Sequence, residues 1–118
     1  MTQRIDRIGD LIRAELNQLI LREMRDPRVE LATVSRVEVS RDLSYAEVHV
    51  SVVGADEHRA EAIRALEGAQ GFLRRELAQR TSLRTTPALR FHLDRGAEHS
   101  QKISDLLDGL RREADDDA

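Results

Sequence analysis

The chain has 118 residues, 40% hydrophobic and 35% charged. That length suits one domain with its own core and is too short for two. No apolar run exceeds three residues (19–21), whereas a transmembrane helix needs about 20, so a membrane span is excluded. The absence of cysteine excludes disulfides, zinc–cysteine sites and thiol catalysis. The opening Met1-Thr2-Gln3-Arg4 carries no apolar signal-peptide core, and the cytoplasm is the expected compartment.

The formal net charge of −3 is unevenly spread. Residues 105–118 hold six acids and two Arg, net −4. Residues 69–95 hold Arg74, Arg75, Arg80, Arg84, Arg90 and Arg95 against Glu76 and Asp94, net +4. Lys102 is the single lysine among 19 basic residues. A whole-chain pI near 5.8 would speak against nucleic acid. A phosphate, however, responds to the basic face within a Debye length of it rather than to the total.

In chain order, Ile5, Ile8, Ile12, Leu16 and Leu19 recur at helical spacing, widened by Leu11 and Ile20. They predict one amphipathic helix over 3–24, with Thr2 as its cap. Asp26-Pro27 ends it, because proline pushes the preceding residue out of the α region. Val37 and Val39, then Ala46, Val48, Val50 and Val52, alternate with polar residues and predict two strands joined by a turn at 40–44. Asp42 suits that turn through its side-chain hydrogen bonds. Asp56 is the expected cap of a second helix, with Ile63 and Leu66 inward. The pattern is interrupted at Gly68-Ala69-Gln70-Gly71 and resumes with Phe72, Leu73 and Leu77. Two glycines in a helical stretch cost about 1 kcal/mol each relative to alanine, so a kink, a tight turn or a close backbone approach is expected there. Pro87 opens a third strand with Leu89, Phe91 and Leu93 on one side. A weak helical pattern (Ile103, Leu106, Leu107, Leu110) and an acidic tail follow. The order α-β-β-α-(kink)-α-β predicts a two-layer α+β domain with a small three-stranded mixed sheet.

That order is the type II KH arrangement, whose domains clamp single-stranded nucleic acid beside a GXXG loop. Gly68-Ala69-Gln70-Gly71 matches the tetrapeptide formally, although glycine pairs at that spacing are common by chance. More specific are Arg25-Asp26-Pro27-Arg28, Val37-Glu38-Val39-Ser40-Arg41-Asp42-Leu43-Ser44-Tyr45-Ala46, Ala69-Gln70-Gly71-Phe72-Leu73-Arg74, and Leu83-Arg84-Thr85-Thr86-Pro87-Ala88-Leu89-Arg90-Phe91. Through these segments the chain resembles the bacterial ribosome-binding factor A family over residues 3 to about 107. The resemblance implies a KH-like domain at 1–107, with 108–118 as a tail. It also implies binding to the maturing small ribosomal subunit and help in processing its RNA, without catalysis. In that family an Ala-x-Gly kink, here Ala69 and Gly71, replaces a working GXXG loop, and Gly68 departs from the pattern.

The expected phosphate contacts are Arg74, Arg75, Arg80 and Arg84, with Arg28 and Arg41 as lesser candidates. Arg forks match phosphate geometry, and several together give salt-dependent binding. Arg28 could equally hold Asp26. His49, His58, His92 and His99 have no metal-ligand spacing, and no catalytic constellation can be assembled. Phe72 and Phe91 fall at core positions, so a reader built on exposed sheet aromatics is not expected. No cofactor, metal or small-molecule substrate is expected, and the protein should be a monomer. The competing reading is a protein-interaction module using the apolar stripe of the first helix. A small RNA-processing enzyme is the remaining one.

Overall fold

A computed structural model of the chain describes residues 2–96. The expected C-terminal helix, the acidic tail and His99 lie outside the described residues. The elements run α1 (Thr2–Arg22), a 3-10 turn (Pro27–Val29), β1 (Ala32–Val39), β2 (Tyr45–Val52), α2 (Asp56–Gly68), α3 (Gln70–Arg80) and β3 (Ala88–Leu93). The sheet order is β1-β2-β3, with β1 antiparallel and β3 parallel to the central β2. The helices cover one face. The other is open and carries the polar phase of the strands.

The core is the set of positions that the two periodicities select. Ile12, Leu16, Leu19 and Ile20 of α1, Val48, Val50 and Val52 of β2, Leu66 of α2, Leu73 and Leu77 of α3, and Leu89 and Phe91 of β3 are all buried. From Ile12 to Ile20 the stripe of α1 is taken up by the protein's own core, whereas Ile5 and Ile8 are half-buried. Leu11, expected in the stripe, is 39% exposed.

β1 starts five residues before the Val37–Val39 alternation that signals it. Its register with β2 slips between Val34 and Arg36. The extra residue, Ser35, puts Val34 three places before Val37 on one face, a bulge that hides the period of two. α1 lies close over this strand. A Cβ built on the buried Gly9 would stand 2.6 Å from the carbonyl oxygen of Val37.

Both edge strands are closed locally by a helix side chain. Asn17 of α1 accepts from the Val34 N–H (2.8 Å) and donates to the Val34 carbonyl (3.1 Å) on β1. Gln70, the first residue of α3, accepts from the Leu89 N–H of β3 (3.1 Å). Edge amides left open are templates for pairing with another chain. The two amide side chains block that and fix each helix to its strand.

Three local expectations change. Thr2 is the first residue of α1 rather than its cap, and the helix ends at Arg22 rather than 24. The cap of α2 is Ala55, without a side-chain bond, and Asp56 is the first helical residue, paired with Arg59 at 2.8 Å. Gly54, with φ of +138°, makes the turn into α2 in a conformation that other residues rarely adopt.

Candidate nucleic-acid interface

The break between α2 and α3 is a single residue. Ala69 has φ −92° and ψ 6°, and its N–H bonds to the carbonyls of both Ala65 and Leu66 (3.1 Å each). Its own carbonyl accepts from Leu73 N–H at 2.9 Å. Backbone hydrogen bonding thus continues almost unbroken through the bend, and no four-residue loop exists between the helices. Neither flanking glycine is there for space. A Cβ on Gly68 meets nothing within 4 Å, and one on Gly71 meets only the Arg75 guanidinium at 3.8 Å. The half-buried Ala69 packs against the core and makes the bend. Gly71 sits in the first turn of α3.

The bend aims Arg74 and Arg75 outward while Leu73 and Leu77 point into the core. Arg74 donates to the carbonyl of Thr86 (3.1 Å), tying α3 to the segment that leads into β3. Across Pro87, the Ala88 N–H donates to the carbonyl of Ser44 (2.9 Å), at the end of the β1–β2 turn. One end of the sheet therefore gathers the α2–α3 bend, the 40–44 turn with Arg41, and the Thr86–Ala88 end of the segment that carries Arg84 at its middle.

The turn is internally braced. Asp42 accepts from the Ser40 hydroxyl (2.8 Å) and the Ser44 N–H (3.1 Å). Hydrogen bonding from the Ser44 side chain, then the Ser40 side chain and the Ser44 N–H, holds its carboxyl below the ordinary range. Leu43 takes the left-handed conformation, φ +61°, a strain of roughly 1–2 kcal/mol in an L-residue. Asp42 is engaged with the serines, and the exposed Arg41 has no carboxylate partner among the described residues.

The six predicted arginines separate into two groups. Arg41, Arg74, Arg75 and Arg84 are exposed, and among the described residues none of them makes an ion pair. Arg80 lies at the far end of α3, 3.4 Å from Glu76 and 3.4 Å from Glu23 of α1. Arg28 is locked onto Asp26, with its guanidinium 2.6–3.1 Å from both carboxylate oxygens. That hydrogen bonding lowers the Asp26 pKa. The 3-10 turn bearing Arg28 precedes β1, so it sits at the opposite end of the sheet from Arg41. The structure thus brings Arg41, Arg74 and Arg75 to one end of the sheet, leaves Arg84 exposed on the segment leading to it, and ties Arg28 and Arg80 to carboxylates.

Arg90 is a cation that the site prediction omitted. Its guanidinium lies 3.7 Å over the Tyr45 ring and 3.3 Å from Glu47. On the same open face His92 is hydrogen-bonded to Glu47, which keeps that carboxyl low, and the His49 and His92 rings lie 5.5 Å apart. Strand phase showed that these residues face outward. It did not show that they pair with one another across β2 and β3. Phe91 is buried, and Phe72 packs against the core. Among the described residues no group of side chains is arranged to hold a metal ion, and no helix is long and apolar enough to cross a membrane.

Comparisons with known proteins agree with this architecture. A profile of the family described as Ribosome-binding factor A matches residues 4–107. Ribosome-binding factor A of Alcanivorax borkumensis is 51% identical over 111 residues, which cover 93% of this chain and 81% of that protein. The crystal structure of ribosome-binding factor A from Thermus thermophilus superposes with a TM-score of 0.70 at 32% identity, covering 78% of this chain and 97% of that one. A second Thermus thermophilus structure, a homology model fitted into the cryo-EM map of a complex of the 30S subunit with ribosome-binding factor A, gives 0.65 at 32% identity, over 76% of this chain and 94% of that one. With the profile spanning most of its length, the chain belongs to the ribosome-binding factor A family.

Proposed function

We propose that this protein is a noncatalytic assembly factor that binds the maturing small ribosomal subunit through its RNA and aids late RNA maturation in the cytoplasm. The reading rests on family membership, and above all on the relative fitted into the map of a 30S complex. Residues 1–107 form the ribosome-binding domain and 108–118 a tail. The protein works as a monomer and needs no cofactor, metal or small-molecule substrate.

Arg41, Arg74, Arg75 and Arg84 are the phosphate contacts. Their support is that all four are exposed and lack carboxylate partners among the described residues, and that Arg41, Arg74 and Arg75 share one end of the sheet. An arginine already held by a carboxylate gives up that pairing on binding, and an unpaired one gives up only water. Arg28 and Arg80, both so held, play a smaller part. The protein acts by binding one RNA conformation more tightly than its alternatives, which shifts the population toward it.

The test is co-sedimentation of the purified protein with free small subunits and with joined ribosomes at two salt concentrations. Salt-sensitive binding to the free subunits alone is the expected result. No binding to either at low salt overturns the proposal.

A further inference from the structure

A groove of about 860 Å³ opens between the C-terminal end of α1 and the start of β1. Its apolar wall includes Ile20, Leu21, Met24 and Val29. Leu21 is 79% exposed, and Leu31 and Val53, joined beside the groove by the Val53 N–H to Leu31 carbonyl bond (3.2 Å), are 53% and 69% exposed. These are the three most exposed large apolar residues of the described chain. In a chain this highly charged, an apolar groove with exposed leucine and valine side chains near it marks a surface that is covered by something.

We propose that the groove is the docking site of this chain's own segment 103–110. Three observations favour that occupant. First, Ile103, Leu106, Leu107 and Leu110 repeat at i, i+3, i+4 and i+7. That spacing makes one apolar helical stripe, and a stripe of four large residues needs a surface of this kind to cover it. Second, the chain leaves the sheet at the right end. Asp94 follows β3, and its carboxylate lies 2.6 Å from the Ser35 hydroxyl on β1. Two strand spacings, roughly 10 Å, separate β3 from β1. Six residues, hence seven Cα–Cα steps, separate Gly96 from Ile103, and a fully extended link of that length spans up to roughly 23–25 Å. The tether reaches the groove without disturbing the sheet.

Third, the charges complement. Arg25 lines the groove and the exposed Arg22 adjoins it on α1, and neither has an ion-pair partner among the described residues. The segment brings Asp105 and Asp108, and residues 105–118 carry net −4. Glu30 and Asp26 also line the groove, Asp26 already paired with Arg28, and they weaken this attraction. The apolar stripe therefore supplies most of the affinity, and the arginines set orientation.

The chain has no cysteine and only two methionines, Met1 and Met24, so the full chain can be probed directly. A nitroxide on Arg112→Cys, with methyl-labelled methionine, reads proximity to the Met24 methyl. Docking predicts a several-fold loss of the Met24 signal, which recovers on reducing the nitroxide. It should also recover in the double variant Leu106→Asp with Leu107→Asp, and with Leu21→Asp. Leu21 is exposed enough that this change leaves the core intact. An undiminished Met24 signal overturns the proposal, as does a loss that survives both sets of variants. Mixing spin-labelled unenriched chain with enriched unlabelled chain tests for a second copy. Broadening that arises only in the mixture assigns the groove to that copy and also overturns the proposal.

Discussion

Placing one methyl group at Gly9 and then at Gly68 should change stability in opposite directions. At Gly9 an alanine Cβ stands 2.6 Å from the carbonyl oxygen of Val37 and 3.6 Å from its carbon. Ordinary C···O approach is roughly 3.3 Å, so α1 must retreat from β1 by about 0.7 Å. The obstacle is strand backbone paired with β2, and it cannot rotate aside as a side chain would. Overpacking of this kind costs about 2–3 kcal/mol, and the better helix propensity of alanine returns about 1. The net loss is about 1–2 kcal/mol, a fall in Tm of roughly 4–10 °C for a domain of this size. At Gly68 the added methyl meets nothing within 4 Å and only restricts the unfolded chain, a gain of about 0.4–1 kcal/mol. Urea and thermal unfolding read both effects. Co-sedimentation of Gly68→Ala with small subunits then separates two functions of the bend. A GXXG grip needs bare backbone against phosphate, so a Cβ there would weaken binding severalfold. A kink that only aims Arg74 and Arg75 leaves binding unchanged, which is the expected result. Lost binding with Gly68→Ala, or a Gly9→Ala protein as stable as the parent, would refute the reasoning.

Replacing Arg74 and Arg75 together by Gln should reduce the salt dependence of small-subunit binding by about 1.4–1.8 in log–log slope, at roughly 0.7–0.9 per phosphate contact. The loss of stability should stay under about 1 kcal/mol, because the bond from Arg74 to Thr86 is exposed. Arg28→Gln should leave the slope unchanged, and filter binding across a salt series compares the two. Asn17→Leu strips the partner from both polar groups of Val34 and should cost about 2–3 kcal/mol in urea unfolding. The carboxyl of Asp94 is held low by the Ser35 hydroxyl and then by the Gly96 N–H. A depressed folded pKa contributes stability that is present above the unfolded value and lost as pH falls through the folded one. Acid should therefore destabilise the protein, and Ser35→Ala should move the Asp94 titration, followed by carboxyl NMR, back toward its ordinary range.

Much of the fold was legible because burial follows period. Leu16, Val48, Leu73 and Leu89 are where a period of 3.6 or 2 places the core. The bulge at Ser35 breaks the period, and so the first half of β1 gives no strand signal. Gly9 carries none either, since a glycine inside a helix looks the same whether a strand lies 2.6 Å from its absent Cβ or solvent does. Asn17 and Gln70 are equally silent. An amide in a helix reads as surface until the strand edge it closes is known.

The arginines show where sequence reasoning stops for a site of this kind. All six candidates have the same side chain, and local charge density ranks Arg80 with Arg74 and Arg75. Of its two partners, Glu76 stands four residues back, a spacing that sequence can offer, but Glu23 is 57 residues away, a separation at which no charge pattern announces a pair. Arg28 has its partner two residues away, near enough for the sequence to offer Asp26 as the alternative to phosphate. What sets Arg41, Arg74, Arg75 and Arg84 apart is the absence of a carboxylate within reach among the described residues, which belongs to the packed structure. Arg41 joins them only because Ser44 meets Ala88 and Arg74 meets Thr86, on either side of Pro87. One backbone hydrogen bond and one from a guanidinium to a backbone carbonyl thus bring a turn, a helix and the end of a loop from separate stretches of the sequence to one end of one sheet. A basic face assembled this way depends on the fold, so a variant that shifts the bend at Ala69 should weaken binding even though no arginine is touched.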